Sequence, residues 1–275
     1  MQSNFKLFLV LSSFYLLTSC NSRHKQEILA DQYLSNIKTL INQNSLNAAK
    51  IKIDSLHLLF PRLVNKRKIA ASLEDTIIRR ESSRSLEYCD SILPLKQHEA
   101  DSIQRNFRFE KNTTYQQFGN YVYKSQITEN NTNRTYLKAY VNENADFYLV
   151  SNYCGSKIEY TNLIVSSNEI FIRTDTILTN NSANHIFFDG GTCWESITFK
   201  NDEDKGVAMF ISQNSAARIK VSLKGKKSFD YYLLETDKKA ISETYRLWVI
   251  KKDVRKLQEE IIKAKNRIKR INKSF

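Results

Sequence analysis

Leu247, Ile250, Val254, Leu257, Ile261, Ala264, Ile268 and Ile271 follow one another in steps of three and four residues without a break. A strand, with its period of two, cannot gather such a stripe on one side. A helix can, and the mean step of 3.5 residues is that of a coiled-coil seam, which must be covered by another helix. The spacing predicts a helix from Thr236 or Asp237, either of which is a good N-cap residue, to the end of the chain. Its expected partner is the long helical segment from Pro61 to Arg105, which enters the middle of the chain where the last helix leaves it. Pairing within one chain costs less loop entropy than recruiting a second. The two are expected to run antiparallel as a stalk.

Earlier in the chain the same period recurs in shorter pieces. Ile28, Leu29, Leu34, Ile37, Leu40 and Ile41 mark a helix over 25–42, Asn44-Ser45 supplies a turn and a cap, and "LNAAKIKIDSLHLLF" reads as a second helix stopped by Pro61. The segment "IRRESSRS" at 78–85 has no apolar face, so a helix there is either solvated or held by neighbouring helices. Pro94 is expected to begin or kink the next segment.

From Phe107 the period changes to two. "FRFEK", "YVYKS", "TYLKAYV", "DFYLVSNY", "IEYTNLIVS", "EIFIRT", "HIFFD", "CWESITF", "GVAMFIS", "ARIKVSL" and "FDYYLLE" are short β-branched and aromatic runs between Asn- and Gly-rich turns. About ten strands at this spacing predict one antiparallel sandwich or barrel. In "AARIKVSLK", Ala217, Ile219, Val221 and Leu223 face in, and Arg218, Lys220, Ser222 and Lys224 face out. The fold class is therefore α+β: N-terminal helices and a C-terminal coiled-coil helix forming a stalk, with an inserted antiparallel β-sandwich or barrel. The expected divisions are 1–19, 20–106, 107–235 and 236–275.

The first of these is a targeting segment. Lys6 precedes an apolar run from Leu7 to Leu17, too short to span a bilayer, and small polar residues follow. Leu17-Thr18-Ser19-Cys20 resembles the lipobox of bacterial lipoproteins. The resemblance implies that the Cys20 thiol is acylated, that the signal is cut before it, and that the protein is anchored to membrane lipid. Asn21-Ser22-Arg23-His24-Lys25 lacks the acidic run often found after the cysteine in Bacteroidetes lipoproteins at the cell surface, which favours a location in the envelope facing the periplasm. Ser55, Thr76, Ser91, Ser102 and Thr176 each stand between an aspartate and an aliphatic residue. These triplets are similar to the O-glycosylation sequon of Bacteroidetes envelope proteins; simple alternation of polar and core positions on helices would also produce them. Residues 72–103 resemble the stalk of uncharacterised envelope proteins of that group, in which a helical region precedes a β-rich domain. The likeness implies architecture and no activity. The helical pair ending at Phe60-Pro61 looks a little like one tetratricopeptide-type hairpin.

The formal charge of +13 is uneven. Residues 23–111 are net +5, 112–245 net −1, and 246–275 net +8. For an exported protein this basic excess points away from nucleic acid, toward an anionic surface or an envelope protein, with a plain solvated helix face as the alternative. Cys154 and Cys193 both fall among the strands. An oxidising compartment permits a bridge between them, and spacing alone does not decide it; Cys89 is expected to be a half-buried helical residue.

Catalytic chemistry is hard to assemble. The chain contains no HExxH, no paired CxxC and no phosphate-binding glycine loop. "NHIFFDGGTCWES" gathers His185, Asp189, Cys193 and Glu195, from which a Cys–His pair could be drawn, but no orienting third group or oxyanion donor follows from it. No cofactor, metal site or catalytic residue is expected. Tyr115, Tyr121, Tyr123, Tyr136, Tyr140, Tyr148, Tyr153, Tyr160, Trp194, Tyr231 and Tyr232 are either core or, where exposed, a surface for stacking on a ligand. The expected function is a membrane-anchored, non-catalytic interaction or adaptor module. A glycan or small-ligand binder using the β domain is the alternative, and a hydrolase with an unrecognised site stands third.

Overall fold

The computed structural model describes residues 23–273, so Cys20 and its lipobox lie outside the described residues. The chain forms two compact units: 23–89 together with 260–273, and Asp90–Glu259. Two long helices contribute to both.

In the first unit, helix α1 (23–42) and helix α2 (Leu46–Leu59) pack with the start of helix α3 (Val64–Gln104) around Ala30, Leu34, Ile37, Ile41, Ala49, Ile53, Leu56 and Ile77. Ile28 and Leu29, expected on the core face, are instead nearly half exposed. The turn before α2 uses Asn44 with positive φ; Ser45 occupies the cap position without a side-chain cap bond. The polar stretch 78–85 is held by neighbours. Lys50 on α2 pairs with Glu81 at 2.7 Å, and Arg80 donates to the Ile41 carbonyl at 2.8 Å. α3 runs on through Pro94, so the proline does not begin a new segment. The proline forfeits the bond to the carbonyl of residue 90, but Asp90 and Pro94 both lie on the exposed side, where that carbonyl is open to solvent.

The second unit is built on ten antiparallel strands in two sheets. The six-stranded sheet has the order β1 (Phe107–Glu110), β2 (Asn120–Tyr123), β3 (Tyr136–Asn142), β4 (Phe147–Gly155), β8 (Thr192–Lys200), β7 (Asn184–Asp189). The four-stranded sheet has the order β10 (Ser228–Tyr232), β9 (Lys220–Gly225), β5 (Tyr160–Ser167), β6 (Ile170–Arg173). One core lies between them, formed by Leu137, Phe147, Leu149, Ile197 and Phe199 from the first sheet and Tyr160, Leu163, Val165, Val221 and Leu223 from the second. Alternation along the central strands β3, β4, β8, β5 and β9 sends inward-facing side chains into this core. β9 approaches β5 so closely that a Cβ on Gly225 would overlap the Glu159 carbonyl and the Tyr160 backbone, which only glycine avoids.

"GVAMFIS" is not a strand but helix α4 (Val207–Gln213). Its buried residues, Val207, Ala208, Phe210 and Ile211, share one helical face, and Asp204 accepts from the Gly206 and Ala208 amides to start it. A short apolar run has no period long enough to separate the two readings.

Helix α5 (Glu235–Lys273) contains the heptad seam. Leu247, Ile250, Ala264 and Ile271 are buried, and Val254, Leu257, Ile261 and Ile268 are half-buried. Within the second unit Leu247 and Ile250 pack with Ala100, Ile103 and Phe107. Lys96 meets Asp253 at 3.4 Å and Glu99 meets Arg246 at 3.7 Å, so α3 and α5 run antiparallel there, as the seam predicts. Asp237 is not the cap. α5 starts two residues earlier, and the buried Asp237 carboxylate accepts two bonds from Arg134, at 2.6 and 2.8 Å.

Candidate functional site

Most of the aromatic residues singled out by the sequence serve packing. Tyr136, Tyr153 and Tyr160 are buried, and Tyr231 packs on the same core. On the outer face of the six-stranded sheet, Tyr140 stacks on Tyr148 at 4.7 Å and Phe187 on Trp194 at 6.2 Å. Burial there pushes the Tyr140 hydroxyl up to about 12.

The four-stranded sheet differs. The strand register sets Tyr232, Lys220, Ser166 and Phe171 in one row across β10, β9, β5 and β6. Their neighbours Tyr231, Val221 and Val165 point into the core, so this row points out. Phe171 is 69% exposed and Tyr232 48%. At a strand spacing of about 4.8 Å, the two rings rise from strands roughly 14 Å apart. Between them lies an open groove of about 370 Å³, lined also by Ser167, Glu169 and Arg218.

Each wall has a local cause. Phe171 stands on an edge strand, brought there by the tight hairpin whose Asn168 takes positive φ. Ile170, next to it, is exposed as well, because no further strand covers β6. Arg218 leads into β9 and lays its guanidinium over the Tyr232 ring, 3.7 Å from the centroid. That stack fixes a planar cation whose donors remain unpaired with any carboxylate among the described residues. Lys220 is bound by Asp230 at 2.7 Å; the lysine, together with Ser222, holds that carboxyl below the usual range. Glu169 at the hairpin is the acid on the rim. Two exposed rings, a fixed guanidinium and the Ser166 hydroxyl can hold a ligand with flat apolar faces, hydroxyls and an acid group.

The residues of "NHIFFDGGTCWES" are not brought together. His185 and Asp189 are exposed on the edge strand β7, whereas Cys193 and Glu195 face the core. The Cys–His pair is therefore ruled out by the side of the sheet each occupies. Glu195, 1% exposed, is structural: it accepts backbone N–H bonds from Ile158 at 2.6 Å, Glu159 at 3.0 Å and Tyr160 at 3.2 Å. Burial and the adjacent Glu195 push the Cys193 thiol up, away from a reactive thiolate. The Cys154–Cys193 bridge is not made. Cys154 is registered with Trp194 and Cys193 with Gly155, so the two side chains leave opposite faces, and both thiols are free.

Ser91, Ser102 and Thr176 are exposed, as is Thr76, and Ser55 is half-exposed. In four of the five triplets the aliphatic residue, Leu56, Ile77, Ile103 or Ile177, is buried. The hydroxyls are thus accessible in the manner a sugar requires, and equally in the manner that alternation produces. No described group of histidine, cysteine and acidic residues could hold a metal ion. No described helix is long and apolar enough to cross a membrane.

Sequence reasoning identified Tyr232, Arg218 and Lys220 as outward or aromatic candidates and missed Phe171. Only knowledge that β6 is an edge strand would have singled it out. Comparison with protein-family models, curated proteins and solved structures finds no match to this chain.

Proposed function

We propose that the protein is a non-catalytic binding module of the cell envelope, anchored to a membrane through acylation of Cys20, whose β unit holds an acidic glycan in the groove between Phe171 and Tyr232. One observation carries the ligand reading: two large aromatic rings stay exposed on an otherwise polar sheet face, beside an arginine fixed by stacking and left without an acidic partner. Sugar rings stack on such faces, and a carboxylate or phosphate pairs with a guanidinium fork. The separation of the walls matches a short oligosaccharide. Equilibrium binding of the mature chain to uronic-acid oligosaccharides tests this, with neutral oligosaccharides as control. Phe171→Ala should weaken binding by up to about tenfold and Arg218→Gln by tenfold or more. Equal affinity for neutral and acidic sugars, or indifference to both substitutions, would count against it.

A protein partner is the second reading, favoured by the exposed edge strand β7, where Phe187 and Phe188 are both more than half exposed. An extended peptide adding to that edge would give the adaptor function. For the anchor, Cys20→Ala should leave the uncut precursor or release the protein from membranes. Normal cleavage with unchanged detergent partitioning would refute it.

A further inference from the structure

We infer that the helical unit of residues 23–89 and 260–273 is a docking surface for anionic lipid headgroups. The unit holds eighteen basic and eight acidic residues, net +10, while the larger unit, Asp90–Glu259, is net +2. Half of the eight acids are held in ion pairs: Glu27 by Arg23, Asp31 by Lys66, Glu81 by Lys50 and Glu260 by Lys263. The surplus is concentrated on the last turns of α5, where Lys263 to Lys273 includes six cations and no acid.

Two ordinary explanations fall short. Cations in a last helical turn offset the helix dipole, and that covers Arg270 and Lys273. It does not reach Lys265, Arg267 and Lys269, which are exposed and form no ion pair among the described residues. Solubility is served by a net charge of about 2–8 on a small domain, with both signs interspersed, and the +10 of this unit exceeds that.

Apolar exposure singles out a bilayer over other anions. Ile28 and Leu29 are exposed on α1 close behind Arg23 and Lys25, and Ile262 is exposed among the cations of α5. Cations interleaved with exposed aliphatic residues are the makeup of an interfacial surface. Position in the chain agrees, since Arg23 follows Cys20 by three residues. On the anchor reading the unit begins at the headgroup layer. The inference rests on that reading only for its orientation.

The test therefore dispenses with the acyl chain. The mature polypeptide with Cys20→Ser is sedimented with vesicles of phosphatidylcholine and with vesicles of equal phosphatidylcholine and phosphatidylglycerol. Binding is expected to the mixed vesicles alone, and to fall steeply with added salt. Each cation near an anionic surface strengthens partitioning about fivefold. Replacing Lys265, Arg267 and Lys269 with glutamine should therefore weaken it about a hundredfold, with helix content by circular dichroism unchanged. Equal binding to both vesicle types, no binding at low salt, an unaltered triple variant, or tighter binding to duplex DNA would each overturn the inference. Membrane release by Cys20→Ala is measured separately, so failure of the anchor and failure of the surface are distinguishable.

Discussion

Removing the Glu195 carboxylate should be among the most damaging single changes available in the β unit. The side chain stands on β8 of one sheet and accepts from three consecutive backbone amides, Ile158, Glu159 and Tyr160, where the chain enters the other. A hydrogen bond to a charged group contributes about 1.5–3 kcal/mol, and a buried donor left without a partner costs about 1–3 kcal/mol. Ile158 and Tyr160 are buried, so alanine at 195 orphans at least two amides that water does not reach. Such terms do not add fully, and loss of a buried charge gives some relief. We expect Glu195→Ala to cost about 3–5 kcal/mol, a large part of a typical domain's 5–15. Glutamine keeps one oxygen for Ile158 and Glu159 but sets an amide N–H against Tyr160, for a loss of about 1–2 kcal/mol. The assay is urea unfolding followed by tryptophan fluorescence; Trp194 and Trp248, the chain's two tryptophans, both lie in this unit. A loss below about 1 kcal/mol for alanine, or equal losses for alanine and glutamine, would contradict this role for Glu195.

Three further outcomes are expected. In the native mature chain with Cys20→Ser, a thiol reagent should modify half-exposed Cys154 quickly and buried Cys89 and Cys193 only on unfolding; a Cys154–Cys193 bridge in the unreduced mass spectrum would contradict the opposed faces. Leu247→Asp with Ile250→Asp should separate α5 from the end of α3, since each lost side chain is worth about 1.5–3 kcal/mol and the new charges add a desolvation cost. Helix content by circular dichroism reports it, and wild-type helicity would contradict the packing. The carboxyl of Asp230 is held low by Lys220, so its stabilisation is complete above the ordinary carboxylate range near pH 4 and is lost as pH falls through the lower folded value; Asp230→Asn should flatten the loss of stability below about pH 4, and an unchanged slope would contradict it.

The large elements were legible in the sequence because their periods are long. The seam from Leu247 to Ile271 and the alternation in "AARIKVSLK" each repeat often enough to exclude another reading. What escaped depends on neighbours distant in the chain. "GVAMFIS" is too short to declare its period, and the turn into α4 decided it. Asp237 looks like a cap until Arg134, over one hundred residues away, engages it. Cys154 and Cys193 are both in strands, but only the register puts them on opposite faces. The groove was legible in part. Arg218, Lys220 and Tyr232 follow from alternation and composition, whereas the exposure of Phe171 follows from strand order, which no local pattern encodes.

The proposed function stands on ligand binding between Phe171 and Tyr232. An NMR titration of the mature chain with a uronic-acid trisaccharide tests it most directly. Shifts are expected only at the amides of Ser166–Phe171, Arg218–Lys220 and Tyr232. Shifts centred on Tyr140, Tyr148, Phe187 and Trp194, on the outer face of the other sheet, or none at saturating sugar, would contradict it.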